Sequence, residues 1–160
     1  MKAAIAIAIL AFLILQLAPA PYQLTTTAVD TRSTIAADPD IPYHIQSVLR
    51  RACMDCHSQE TRVPWYGRVA PASWMMARDV TEARQAMDLS RWAEKPPAAR
   101  LALSAAACAD VKAKKMPKPQ YRMLHAEARL SPQDIEAICG WPKAVIASIA
   151  RQKALSAATH

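Results

Sequence analysis

An all-α fold is what this sequence predicts. Ala, Leu, Arg and Gln, all good helix formers, are abundant in its 160 residues, Gly67 and Gly140 are its only glycines, and no strand-like run of Val, Ile and Thr follows the N-terminal region. Two isolated glycines are too few for a phosphate-cradling loop or a Rossmann turn, which excludes nucleotide-binding folds of that kind. The length suits one small domain plus whatever the N-terminus carries. The sole Phe, Phe12, lies in the N-terminal apolar run, so the core takes its bulk from Trp, Tyr and scattered Leu, Ile and Met. Domains this small often lean on a cofactor, metal or disulfide, and a large flat apolar cofactor would fill such a core.

The first element is Lys2 followed by AAIAIAILAFLILQLA, uncharged over residues 3–18 and apolar on nearly every face. It is longer than a usual signal-peptide core and slightly short of a full span, so both a transmembrane anchor and an export signal fit. Ala18-Pro19-Ala20 offers a small-residue cleavage site, but Pro21 behind it is poorly accepted, which favours an uncleaved anchor over residues 1–20. Lys2 inside agrees with the positive-inside rule, and either reading puts the soluble part on the periplasmic side of a bacterial inner membrane. Residues 21–40 are Thr-rich without periodicity and read as a flexible tether.

Ordered structure is expected over residues 41–141. Ile45, Val48, Leu49 and Ala52 make one apolar stripe of a short helix that runs into Cys53, with Arg50 and Arg51 on its wet side. Residues 58–70 read as a loop carrying Pro64-Trp65-Tyr66, and Pro71 opens a second helix to about Met87, with Met76, Val80, Ala83 and Met87 inward. A third helix spans about 98–111, with Leu101, Ala105, Cys108 and Val111 on its inner face. The stretch KAKKMPKPQYRMLH has no helical stripe and reads as a loop. Ser131 is a good N-cap, with Pro132 behind it and Asp134 in the first turn of a fourth helix that buries Ile135, Ile138 and Cys139. That helix is expected to stop near Gly140 and Pro142, leaving 142–160 as a final helical turn or two and a tail.

The chemistry sits in RRACMDCHSQETRVPWY. Cys53, Cys56 and His57 form C-x-x-C-H, the pattern of c-type haem attachment. Two thiols about one turn apart can each add across one vinyl group of a porphyrin edge, and the next residue's imidazole then reaches the iron as proximal ligand. A thioredoxin-like dithiol needs a helix N-terminus beneath its first Cys, whereas here the helix precedes it. A zinc site from Cys53, Cys56, Cys108 and Cys139, or a plain disulfide within C-x-x-C, leaves His57 without a role.

The sixth iron position has five candidates. Met116 stands in Lys-Lys-Met-Pro-Lys between two helices, where a thioether can approach the opposite face of the ring, and Met/His is a common pair in electron-carrying cytochromes. His125 is the alternative. Met123 lies in the same loop, and Met75 and Met76 on the second helix read as core packing.

CMDCHSQETRVPWYGRVAPASWMMARDV, MPKPQYRMLHAEARLS and DIEAICGW, in that order, resemble the haem-binding-domain family of exported, membrane-anchored monohaem c-type cytochromes. The resemblance spans residues 41–141 and implies a small cytochrome c-like domain of four to five helices around one covalent haem c. It implies haem attachment at Cys53 and Cys56, His57 as proximal ligand and, more loosely, Met116 as distal ligand. It names a cofactor better than a pathway.

Cys108 and Cys139 flank the Met116 loop, and outside the cytoplasm two leftover thiols usually pair, which predicts a Cys108–Cys139 disulfide worth roughly a few kcal/mol; the alternative is two buried free thiols packed as small apolar residues. Trp65 and Tyr66 read either as haem-pocket contacts or as ordinary aromatics. Trp74 and Trp141 offer the ring edge packing, and Tyr121 is equally open. The formal charge of +7 is concentrated around Met116 in Lys112, Lys114, Lys115, Lys118, Arg122 and Arg129, a collar suited to an acidic redox partner. Attraction of that collar to anionic lipid, beside a membrane contact through residues 3–20, is the other reading. Nucleic acid does not fit an exported chain.

The expected function is one-electron transfer without substrate turnover, hence no catalytic residue. The rivals are a haem peroxidase or small-gas sensor with an open or weakly held sixth site, and a non-redox zinc or disulfide module.

Overall fold

The structure is a computed structural model that describes residues 1–21 and 23–158. Tyr22, in the expected tether, and Thr159 and His160, in the expected tail, lie outside the described residues. The described chain is all-helical: α1 (Lys2–Leu17), α2 (Tyr43–Ala52), α3 (Met54–His57), α4 (Ala72–Ala86), α5 (Pro97–Lys112), α6 (Pro119–Leu124) and α7 (Pro132–Ala158). Five short 3-10 turns join them, and no strand occurs among the described residues.

α5 and α7 pack along one another and α2 lies against α7. The amphipathic stripe of α2 faces this junction as its spacing predicts, with Ile45, Val48, Leu49 and Ala52 all buried. The missing phenylalanines are replaced by two tryptophans: Trp92 and Trp141 are fully buried, their ring centroids 4.9 Å apart. Ile35, Ile41, Leu89, Ile138 and Val145 close the core around them. The disulfide Cys108–Cys139 is formed and ties α5 to α7.

Several expectations are corrected. The stretch read as a flexible tether is strapped to the domain from residue 25 onward. Arg84 Nη1 donates to the Thr25 carbonyl, the Thr27 N–H donates to Gln59 Oε1 (3.1 Å), and the Ala93 N–H donates to the Ser33 carbonyl (2.9 Å). Ile35 then plugs the core. A strap held by scattered backbone bonds and one apolar plug has no periodicity to read.

α7 does not stop at Gly140. It runs through Pro142, and Gly140 has no positive φ. An interior proline forfeits one hydrogen bond and clashes with the preceding turn, at a cost of about 3 kcal/mol. Ile138, Trp141 and Val145 are nearly fully buried on one face, and burial of such side chains returns roughly 1.5–3 kcal/mol each, enough to outweigh it. On α5 the buried face carries Arg100, Ser104 and Val111, and Ala105 is exposed. In a helix this rich in Ala the apolar pattern is too shallow to fix rotation. Arg100 Nη2 donates to Gln152 Oε1 at 3.0 Å on α7, so polar pairing decides the face.

The expected loop, 112–125, contains α6, and a 3-10 turn, Ala126–Ala128, follows it. α1 has 16 residues and no buried one, and among the described residues no helix is long and apolar enough to cross a membrane.

Candidate functional site

α2 ends at Ala52, where the Cys53 N–H donates to the Leu49 carbonyl at 2.9 Å. α3 is a single further turn. The His57 N–H donates to the Cys53 carbonyl (2.9 Å) and Met54 is buried beneath, so Cys53 and Cys56 stand one turn apart with His57 directly behind. The two thiols are not bridged. All three side chains line one cavity of about 330 Å³.

His57 is held from its far side. Its Nδ1–H donates to the Met87 carbonyl at 3.0 Å, which fixes the tautomer and leaves the Nε2 lone pair unused. Burial holds the imidazole pKa below its ordinary value, so the ring is neutral and able to ligate. Burial likewise pushes the Cys53 thiol up to about 12 and the Cys56 thiol up to about 11, so both are protonated at neutral pH.

The cavity walls are apolar, with Leu49 and Ala52 from α2, Val80 and Ala83 from α4, and Leu103 and Val111 from α5. The loop after α5 adds to the lining, where Met116 and the buried Pro117 meet the cavity and their peptide bond is cis. Met75 and Met76 also line it. Met76 packs on Gly67: a Cβ there would stand 2.6 Å from its Sδ and 3.1 Å from Val63 Cγ1, so a larger residue would displace the Met76 side chain that lines the cavity.

Charged residues also line the cavity, and Asp55, Asp79 and Lys118 among them fasten the Met116 loop. Lys118 Nζ donates to Asp79 Oδ1 at 2.7 Å, and Gln120 Nε2 donates to Asp79 Oδ2 at 3.3 Å, joining the loop to α4. Tyr121 Oη donates to Asp55 Oδ2 at 2.8 Å, joining α6 to the turn between the two cysteines. Burial, then this bond, pushes the Tyr121 phenol pKa up. Asp55 also pairs with Arg62 at 3.1 Å. Sequence reasoning passed over Asp55 and Asp79, although Asp79 stands in the Arg-Asp-Val segment that carries the family resemblance.

His125 is not among the cavity-lining residues. Its Nδ1 lies 2.9 Å from Glu127 Oε1 and its Nε2 lies 2.7 Å from Tyr66 Oη, while Tyr121 stacks on its ring at 4.1 Å. The carboxylate can only accept, so Nδ1–H donates to it, and Nε2 is paired with the Tyr66 hydroxyl. Both nitrogens are therefore engaged. Met123 is exposed and also lies off the cavity lining.

Of the aromatic candidates, Tyr66 and Tyr121 line the cavity, whereas Trp65 is 79% exposed and Trp141 belongs to the core with Trp92. Trp74 is half-buried and does not line it either. Neighbours on a 3-10 turn diverge, which explains why Tyr66 faces in and Trp65 out. A four-cysteine zinc site would need Cys108 and Cys139, which are bonded to each other. Two thiols, a neutral imidazole with a free nitrogen and a thioether on one apolar cavity are a donor set suited to a porphyrin.

A model of a family described as a haem-binding domain matches residues 10–144, most of the chain. No curated protein and no solved structure matches it.

Proposed function

The chain belongs to the haem-binding-domain family, and from that premise we propose that it is a monohaem c-type cytochrome that carries single electrons outside the cytoplasm. When bound, the haem supplies a one-electron Fe(II)/Fe(III) couple. Cys53 and Cys56, protonated thiols one turn apart, would hold the haem through two thioether bonds to its vinyl groups. His57 would offer Nε2 to the iron and is kept from rotating by the Met87 carbonyl. Met116, on the same cavity, would offer its thioether as the second ligand, and the Asp79–Lys118 and Asp55–Tyr121 bonds fasten the segment that carries it.

The observation that carries this reading is the meeting of Cys53, Cys56, His57 and Met116 around one apolar cavity. The Cys108–Cys139 disulfide supports export, because such bonds persist in oxidising compartments. The all-round apolar α1 supports a seat at the bacterial inner membrane. Lys112, Lys114 and Lys115 are exposed beside the Met116 loop and suit an acidic redox partner, whereas Lys118 is committed to Asp79.

A peroxidase needs a free acid–base group over the open iron position, and His125, its candidate, has both nitrogens engaged. The test is the near-infrared sulfur-to-iron band of the oxidised protein. It is expected in the wild type and lost in Met116→Ala; a band unchanged in Met116→Ala, or a high-spin wild type, overturns the ligand assignment.

A further inference from the structure

We propose that the 63–70 loop is a second membrane contact, with Trp65 and Val63 entering the headgroup layer beside α1 and Arg68 lying against anionic lipid. The inference rests on the reading of α1 as seated in the membrane and extends it to the orientation of the cavity.

The exposed apolar side chains of α1 include Ile5, Ile7, Leu10, Leu13 and Ile14, and the helix buries nothing against the domain. A protein partner covers one stripe of a helix. A helix apolar around its whole circumference is solvated by lipid. Its C-terminal end is clasped to the domain. Gln16 Nε2 donates to the Ala70 carbonyl at 3.2 Å, and the Ala70 N–H donates to Gln16 Oε1 at 2.9 Å. Two reciprocal bonds fix direction as well as position, so the depth at which α1 ends is also the depth of the 63–70 loop.

That loop has the composition of a membrane boundary. Trp65 is 79% exposed and Val63 is 36% exposed, with Arg62 and Arg68 also at the surface. An exposed Trp between arginines is what the water–lipid interface selects, since the ring is apolar and the indole N–H can meet headgroups. The loop is also stiff enough to present it. Tyr66 is tied to His125, Gly67 is packed on Met76, and Trp65 stands edge-on to Tyr66 with ring centroids 5.8 Å apart. Pro64 and Tyr66 on the same loop line the cavity, so that wall is the back of the contact, and the cavity is held against the bilayer in one orientation.

The test is hydroxyl-radical footprinting of the full, haem-loaded chain reconstituted on vesicles of phosphatidylcholine with phosphatidylglycerol. Oxidation of Trp65, read by mass spectrometry, is expected to be about tenfold slower in the wild type than in Gln16→Ala, which keeps α1 but opens the clasp. Arg68→Glu is expected to raise Trp65 oxidation on these vesicles and to have no effect on pure phosphatidylcholine. Equally fast oxidation in wild type and Gln16→Ala overturns the second contact while leaving the membrane seat standing. Equal protection in both removes the clasp from the account. A chain that fails to sediment with the vesicles overturns the membrane seat and this inference together.

Discussion

Replacing both bridge cysteines by alanine removes the covalent tie between α5 and α7 and leaves their packed faces in place. The bridge spans a sequence separation of 31. Chain-entropy bookkeeping for a loop of that size gives about 3–4 kcal/mol at 25 °C. Single domains are usually stable by about 5–15 kcal/mol, so the Cys108→Ala/Cys139→Ala protein is expected to fold with a much reduced margin. For a domain of this size the loss corresponds to a fall in melting temperature of roughly 10–20 °C. Circular dichroism melts of the haem-loaded wild type and double variant, with urea titrations for the free energy, measure it. The urea midpoint should move with little change in slope. A loss below about 1 kcal/mol would refute the reasoning, because it would mean that the unfolded chain is already restricted across residues 108–139 and the bridge removes no freedom.

Three further outcomes follow from local geometry. Ser131 caps α7: its Oγ accepts from the Asp134 N–H (3.2 Å), while Asp134 Oδ2 accepts from the Ser131 N–H (2.8 Å), so Ser131→Ala should cost about 1 kcal/mol in the same melts. Burial raises the Asp134 pKa, but Arg51, at 2.5 Å, and Ser131 outweigh burial and hold it below its ordinary 3.8. A carboxyl with a depressed folded pKa adds stability above its unfolded pKa and loses it as pH falls through the folded one. The wild type should therefore lose stability below about pH 4, with Asp134→Asn showing a shallower acid slope in urea titrations. Asp79→Asn weakens the fastening of Lys118 and should speed backbone hydrogen exchange across 114–122 by roughly tenfold, for a loss of about 1.4 kcal/mol; unchanged exchange would show that the Asp79 bonds do not hold the Met116 loop.

What was legible in the sequence was local. The α2 stripe, the Ser131 cap and the C-x-x-C-H turn each depend on residues within a few positions of one another, and each appears where the spacing puts it. What was not legible depends on partners far along the chain. Nothing near Pro142 reveals that Trp141 will be buried against Trp92, and without that contact the proline reads as a stop. Nothing near Ile35 reveals that it fills the core, so its segment reads as a tether. His125 shows the same limit within the site. Its position in the Met116 loop makes it a candidate ligand, while nothing nearby reveals that Tyr66, 59 positions away, stands 2.7 Å from its Nε2. The disulfide was readable because exported thiols have few alternatives to pairing, which is a chemical constraint rather than a pattern.

The most direct measurement is the intact mass and visible spectrum of the chain produced outside the cytoplasm together with haem-attachment machinery. The account predicts one macrocycle that survives acid–acetone extraction in the wild type and none in Cys53→Ser/Cys56→Ser. A colourless wild type, or a haem that washes out in acid–acetone, would contradict it.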